Sequence, residues 1–181
     1  HPNYTAMGFT YKIYNQQSLY YITCTVHQWV DIFTRKIYVD ILINSLKYCQ
    51  TNKGLEIYAW VIMSNHMHLI VSSNRNNLSY IIRDFKKFTA KEIVSCVENT
   101  IHESRKDWLL WLLKKDEHIW FWQEGYHGKE ILTKEFYMNK MDYIHLNPVR
   151  AGLVEKEEEY IWSSCAESHG IRKGLLNLSV F

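Results

Sequence analysis

Two short apolar runs in the middle of the chain flank one polar pair. The runs cover residues 57–63 and 66–71, and the pair between them is Ser64-Asn65. This pattern predicts a β-hairpin with a two-residue turn, because asparagine tolerates the positive φ that such turns favour. The second strand of this hairpin carries the first candidate for chemistry.

That candidate is a pair of histidines, His66 and His68, on either side of Met67. Alternate side chains of a strand project from the same face, so both imidazoles should point one way with their Cα atoms about 7 Å apart. Met67, Leu69 and Val71 should point the other way, into the core. Two imidazoles placed so can bind one divalent metal ion. Two hydrogen-bonded structural histidines would show the same spacing, so that alternative stays open.

Hydrophobic periodicity and turn residues predict the other elements. They are a strand at 19–26, a helix at 34–51 closed by Gly54, a helix at 78–97 capped by Asn77, a short buried helix at 108–113, a strand at 118–123, a loop at 125–128, and a helix that starts after Thr133 and ends near Asn147 because Pro148 follows. The order β-α-β-β-α-β predicts an α+β fold, the ferredoxin-like split β-α-β with a central antiparallel sheet. We expect a single domain over 1–181, with a core at about 19–164 and peripheral segments at 1–18 and 165–181.

Composition and charge limit the possible partners and cellular location of the protein. The 181 residues carry a net charge of only +2, so a nucleic-acid partner would need a local basic patch. The four cysteines are far apart in sequence and contain no C-x-x-C pair, which favours reduced thiols and a cytoplasmic protein. No apolar run approaches the length of a membrane span, so no membrane association is expected.

One basic stripe stands out on the helix predicted at 78–97. Arg83, Lys87 and Lys91 are spaced four apart, with Lys86 beside them. A solvated helix face explains such a stripe, and so does a surface that contacts phosphates.

A tyrosine and an amide are neighbours on the helix that follows Thr133. Tyr143 and Asn147 are four apart and therefore adjacent on one face. An amide oxygen can complete a site for a hard cation, and a phenol can attack a phosphate that the cation polarises. With thirteen tyrosines in the chain, Tyr143 could equally be structural, and Tyr126 and Tyr137 are rival nucleophiles by spacing alone.

Four segments together resemble a known family. They are NHMHLIV in the hairpin, FWQEGYH, YIHLNPVRAGLV at 143–154, and YIWSS at 160–164. In this order and spacing the chain is similar to the HUH single-tyrosine transposases, and most similar to the branch associated with repetitive extragenic palindromes (REP). The resemblance runs from about residue 19 to residue 164.

The resemblance implies a role for each matching residue. His66 and His68 match the metal motif, and Tyr143 matches the nucleophile. Asn147 falls where many relatives carry glutamine as a third metal ligand; it departs from that wider pattern but agrees with the REP-associated branch. The implied reaction uses Mg²⁺ or Mn²⁺ to cleave single-stranded DNA near hairpins through a 5′-phosphotyrosine, and then rejoins it.

The implied partner is single-stranded or hairpin DNA, bound by a monomer or homodimer. The residues that we expect to contact its backbone are Arg83, Lys86, Lys87, Lys91, Lys140 and Arg150. We favour a monomer that uses Tyr143 with its own histidines. Two alternatives stay open: a catalytically silent DNA-hairpin binder, and a metal-dependent phosphodiesterase that uses water.

Overall fold

Four antiparallel strands form the central sheet of the computed structural model, which describes residues 12–181. In chain order the strands and helices are β1 (Tyr20–Thr25), α1 (Lys36–Lys53), β2 (Leu55–Ile62), β3 (His66–Ser73), α2 (Leu78–Asn99), α3 (Lys106–Leu113), β4 (Lys114–Lys115), β5 (His118–Ile119), β6 (His127–Glu130), α4 (Lys134–Arg150) and α5 (Cys165–Ser168). The sheet order is β2-β3-β1-β6, while β4 and β5 form a separate ribbon. This confirms the predicted α+β fold with a central antiparallel sheet.

The two faces of the sheet support different layers. Met67, Leu69 and Val71 of β3 are at most 1% exposed and pack in one cluster with apolar residues of α1 and α2. Ile70, on the opposite face, packs with Tyr137 and Ile144 of α4. Because side chains alternate along a strand, the histidines of β3 share the face that α4 covers.

The β2–β3 hairpin has the predicted turn, but for a different reason. The Met63 N–H donates to the His66 carbonyl at 2.8 Å across Ser64-Asn65. Neither turn residue has a positive φ, so the expected role of asparagine was wrong. Asn65 instead links neighbouring segments: its carbonyl accepts from the Val26 N–H at 2.8 Å, and its amide nitrogen donates to the Trp29 carbonyl at 3.3 Å.

The fourth strand lies later in the chain than the sequence predicts. Residues 127–130, at the predicted loop, form β6 and pair with β1, whereas within 118–123 only His118–Ile119 is a strand. Two of the aromatic residues that suggested a long strand, Phe121 and Trp122, pack against Phe33 in the core instead, while Trp120 is exposed. Trp122 reaches the sheet only through an isolated bridge to Val26.

Three helix predictions need correction. α4 continues to Arg150 with Pro148 inside its last turn, because a proline there removes one N–H donor without preventing another turn. α3 is only partly buried, since Trp111 is 75% exposed. Asn77 does precede α2, but its side chain makes no cap: it bonds to Ser73 and donates to the Lys53 carbonyl at 3.4 Å.

The segment after the core is not peripheral. Leu176 is 2% exposed within the main core, and the Phe181 ring stacks on Tyr137 with centroids 4.5 Å apart. The Ser179 N–H donates to the Ile57 carbonyl at 2.8 Å. The tail therefore covers the edge strand β2, whose backbone groups would otherwise stay unpaired. At the other end, the predicted peripheral segment 1–18 lies outside the described residues up to position 11, and Ile13 is buried.

Two further predictions concern thiols and membranes. All four cysteines are free thiols, as predicted. Among residues 12–181, no helix combines the length and apolar character that a membrane crossing requires.

A buried carboxylate, Glu103, joins α1 to the loop before α3. Tyr38 Oη donates to Glu103 Oε2 at 2.8 Å, and Arg35 and Arg105 pair with the carboxylate at 3.1 and 3.2 Å. Burial raises the pKa of Glu103, but the hydrogen bonds from Tyr38 and Arg105 outweigh it and hold the pKa below its usual range. The carboxylate is therefore ionised and paired at neutral pH.

We predict that Glu103→Gln lowers the free energy of unfolding by about 2 kcal/mol at pH 7, because two arginines lose their buried counter-charge. Since the folded pKa is depressed, this stabilisation is present above the unfolded value near ~4.3 and is lost as the pH falls through the folded pKa. Urea unfolding at several pH values measures it, with the exposed Glu117→Gln as control. Equal stability of the two variants at pH 7 would contradict the prediction.

Candidate active site

The two histidines of β3 lie side by side on the sheet face that α4 covers. Their ring centroids are 4.8 Å apart; His68 is 5% exposed, and His66 is half-buried. The strand period alone places them on one face, as the sequence predicts. Their hydrogen bonds decide which ring nitrogen of each is free.

His66 and His68 both use Nδ1 to bond within the protein. His66 Nδ1 lies 2.7 Å from Asn65 Oδ1, and because an amide oxygen can only accept, Nδ1 carries the proton. His68 Nδ1 lies 2.8 Å from Thr23 Oγ1 and 2.9 Å from Tyr21 Oη. Among the hydrogen bonds of residues 12–181, none involves Nε2 of either ring, so both Nε2 atoms are available, as in metal-binding histidines that use Nδ1 for a second contact.

Electrostatics keep the pair neutral. Burial lowers the pKa of His68 to about 3, with smaller contributions from His66 and the Lys140 ammonium. Burial also lowers the pKa of His66. Neutral imidazole is the form that binds metals, so both side chains are ready to do so at pH 7.

The phenol of Tyr143 lies beside this pair. Its ring meets His68 edge-on at 5.5 Å and Tyr21 at 6.3 Å, and it is 41% exposed. The position follows from α4: Thr133 Oγ1 accepts from the Phe136 N–H at 3.1 Å and fixes the helix start. The buried face of α4 then packs on the sheet and turns Tyr143 toward the histidines.

Two cations flank the Tyr143 ring. The Lys140 ammonium lies 5.3 Å and the Arg150 guanidinium 5.1 Å from the ring centroid. Lys140 also lies 4.6 Å from the Tyr21 ring, and burial lowers the pKa of its ammonium. Such charges favour a phosphate at this position.

Tyr21 and the two rival tyrosines, Tyr126 and Tyr137, do not compete with Tyr143 for this place. Tyr137 is 6% exposed and packs against Phe181 and Tyr58. Tyr126 packs at the edge of the core on the far side of the sheet. Tyr21 touches His68, but burial raises the pKa of its phenol to about 12. Tyr143 is thus the exposed phenol at the histidine pair.

Asn147 follows Tyr143 by one helical turn and is half-buried. Among the hydrogen bonds of the described chain, none involves its side-chain amide; its backbone carbonyl accepts from the Ala151 N–H at 3.0 Å. The amide is thus uncommitted on the helix face that adjoins Tyr143.

The basic residues of α2 lie elsewhere. α2 packs on the sheet face opposite the histidines, so its stripe is remote from Tyr143. Arg83, Lys87 and Lys91 are exposed, and Arg83 pairs with Asp84 at 2.9 Å. Lys86 has a structural role instead: it is partly buried and donates to the carbonyls of Gln123, at 3.0 Å, and Gly125. The structure brings Lys140 and Arg150 to the site and leaves the α2 residues apart.

Sequence reasoning missed Tyr21 and Thr23, the partners of His68. Both belong to the predicted first strand, and Thr23 pairs directly with His68 in the β1–β3 register. Register between strands distant in sequence is not visible in hydrophobic periodicity, so no local signal pointed to them.

The chain belongs to the IS200-like transposase family. The family model "Transposase IS200 like" matches residues 15–147, which include both histidines, Tyr143 and Asn147. No curated protein matches the sequence.

A solved structure shares the fold. A REP-associated tyrosine transposase bound to a REP hairpin superposes with a TM-score of 0.66 at 20% identity, over 94% of this chain and 93% of that chain. A protein of Deinococcus radiodurans R1, provisionally named a transposase, gives a TM-score of 0.47 at 18% identity, over 76% of this chain and 92% of that one.

We predict that His68 stays neutral in the metal-free protein from pH 8 to about pH 4, with its proton on Nδ1. Because the unfolded imidazole has a pKa near ~6.5, the unfolded state binds more protons between pH 6.5 and about 3, so the free energy of unfolding falls as the pH decreases over that interval. Imidazole ¹⁵N NMR in the presence of a chelator measures both tautomer and titration. A protonation midpoint near 6.5 for His68 would contradict the prediction.

Proposed function

We propose that this chain is a transposase that cleaves and rejoins single-stranded DNA beside hairpins, with Tyr143 as the nucleophile. The observation that carries the proposal is an exposed phenol edge-on to His68, in a pair of neutral imidazoles whose Nε2 atoms make no hydrogen bond within the described chain. Membership of the IS200-like family supports the same reaction class.

The donor set fits a divalent cation. His66 Nε2 and His68 Nε2 would hold it, with the Asn147 amide oxygen as a third donor. Imidazole together with oxygen ligands suits Mn²⁺, and Mg²⁺ fits if water supplies further oxygens. When bound, such an ion polarises the scissile phosphate and orients it for attack.

Tyr143 then exchanges one phosphate ester bond for another, so that the energy of the phosphodiester bond is conserved. Its phenolate oxygen attacks phosphorus, the bond from phosphorus to the 3′ oxygen breaks, and that oxygen takes a proton. The products are a 5′-phosphotyrosine and a free 3′-hydroxyl. Attack by that hydroxyl, or by one from another strand, reverses the step and restores a phosphodiester. Lys140 and Arg150, whose cationic groups lie near the ring, pair with the phosphate.

Hairpin DNA is the substrate class that we propose. The structurally similar REP-associated transposase is bound to a REP hairpin, which supports this choice. Two separate basic surfaces fit a folded DNA: Lys140 and Arg150 for the strand that is cut, and Arg83, Lys87 and Lys91 of α2 for the backbone of the stem.

The site is proposed to work within one chain. Tyr143 reaches His68 of its own subunit at a ring distance of 5.5 Å, and α4 is anchored on the same sheet through Tyr137 and Ile144. A monomer is then sufficient for cleavage.

Tyr143→Phe should abolish a covalent protein–DNA product. Labelled hairpin-forming single strands are incubated with protein and Mn²⁺ and separated on a denaturing gel, where the adduct runs as a shifted band. The band should also disappear with chelator and in His68→Ala. Tyr126→Phe and Tyr137→Phe are matched controls that should keep it.

The same gel separates the alternatives. Cleavage without a covalent band would indicate a phosphodiesterase that uses water. Hairpin binding without cleavage, across metals and sequences, would indicate a silent binder.

Lys140→Gln and the double variant Lys87→Gln/Lys91→Gln should affect different steps. Loss of the Lys140 charge should slow cleavage of bound DNA by about 100-fold. The α2 variant should keep that rate but weaken hairpin binding and reduce the salt slope by about 2. Single-turnover cleavage and fluorescence anisotropy measure these, with Lys134→Gln as control. Unchanged hairpin affinity in the α2 variant would show that the basic stripe of α2 is only a solvated helix face.

A further inference from the structure

A second group of metal-binding side chains lies where α4 meets α5. It consists of His145, Cys165 and His169: one ring nitrogen of each histidine and the cysteine sulfur lie within 4.8 Å of one another. Cys165 Sγ and His169 Nδ1 are 3.8 Å apart. The HUH residues do not take part in this group.

Two of the three residues are brought together by their spacing in the sequence. Cys165 and His169 are four apart on α5 and its C-terminal cap, so their side chains share one face. His145 comes from α4, two positions after Tyr143 and therefore about 200° around the helix. The group thus lies on the side of α4 away from the proposed nucleophile.

Ser164 holds the His145 ring in place. Ser164 Oγ lies 2.8 Å from His145 Nε2, accepts from the Trp60 N–H at 2.9 Å, and donates to the Trp60 carbonyl at 3.3 Å. Because the hydroxyl contacts Nε2, the Nδ1 atom of His145 makes no hydrogen bond within the described residues. Ser164 thus orients the His145 ring, as Thr23 and Tyr21 orient the ring of His68.

We propose that His145, Cys165 and His169 form a binding site for a zinc-like transition-metal ion. Zn–S and Zn–N bonds of about 2.3 and 2.0 Å in tetrahedral geometry separate ligand atoms by roughly 3.5 Å. The observed separations, at most 4.8 Å, need a closure of about 1.3 Å or less, and the exposed His169 can supply that movement. Two imidazoles and a thiolate select zinc over Mg²⁺ or Mn²⁺.

Two details complete the site. His169 is exposed, so water can occupy the fourth coordination position. Glu157 and Glu158 act electrostatically on the Cys165 thiol. Burial, with these two carboxylates, raises the pKa of Cys165 to about 12. The thiol is therefore protonated without metal, and its proton leaves to solvent when the sulfur binds the ion.

The consequence is a link between the nucleophile helix and the tail. His145 belongs to α4, while Cys165 and His169 belong to the segment that Ser164 attaches to Trp60 of β2. A bound ion would join α4 to this segment by coordinate bonds. It would restrain the helix that carries Tyr143 without touching the DNA site.

The test uses a His66→Ala/His68→Ala background, so that the first histidine pair cannot bind. Zn²⁺ competition against a chromophoric chelator should show one ion per chain. Adding His169→Ala or Cys165→Ser should weaken this affinity by more than about 100-fold, because loss of a direct ligand exceeds loss of a second-sphere partner. Co²⁺ should give thiolate charge-transfer absorption that Cys165→Ser lacks.

Matched controls are Cys96→Ser and His127→Ala in the same background, both of which should bind zinc normally. His169 is exposed, so its variant keeps the test valid if Cys165→Ser fails to fold. Absence of zinc uptake in the background protein would overturn the proposal. So would zinc uptake that His169→Ala leaves unchanged.

Discussion

The strict alternation of side chains along β3 is the constraint on which this structure depends. One set, Met67, Leu69 and Val71, is fully enclosed by α1 and α2, and this burial fixes the register of the strand. A shift by one residue would move the apolar set to the face that α4 covers and bury the histidines among α1 and α2. The forces that stabilise the core therefore also place His66 and His68 on the opposite face.

Burial then determines the protonation state of His68. The covering helix α4 removes His68 from water, which lowers its pKa to about 3, while Tyr21 and Thr23 occupy its Nδ1. The same helix carries Tyr143 to the imidazole and brings Lys140 and Arg150 around the phenol. One packing contact thus sets both the protonation state of His68 and the position of Tyr143.

The tail and the residues around α5 provide a second restraint on α4. Residues after the core cover the edge of β2, and Ser164 joins β2 to His145 through a single hydroxyl. α4 is therefore held by its packing on the sheet and by the hydrogen bond between Ser164 Oγ and His145 Nε2. Its orientation toward His68 does not depend on Tyr143 itself.

The sequence predicted the features that local physics controls. Period-two alternation located the hairpin and its histidines, glycine and threonine marked helix ends, and the element order indicated the fold. It failed where contacts between distant parts of the chain determine the structure. Phe121 and Trp122 pack in the core instead of forming the fourth strand. Lys86 donates to two loop carbonyls, and the Thr23–His68 contact follows from strand register. The roles of Tyr143 and Asn147 came from family resemblance, since spacing alone could not choose among thirteen tyrosines.

The central claim is that one chain contains a complete site, with Tyr143 acting beside its own histidines. Mixing two inactive proteins tests it most directly: His66→Ala/His68→Ala keeps the nucleophile, and Tyr143→Phe keeps the metal ligands. Our account predicts that the mixture forms no covalent DNA adduct at any ratio, while either protein mixed with wild type leaves the wild-type yield unchanged. Recovery of the adduct in the mixture would show that Tyr143 serves the histidines of another subunit, and would contradict the account.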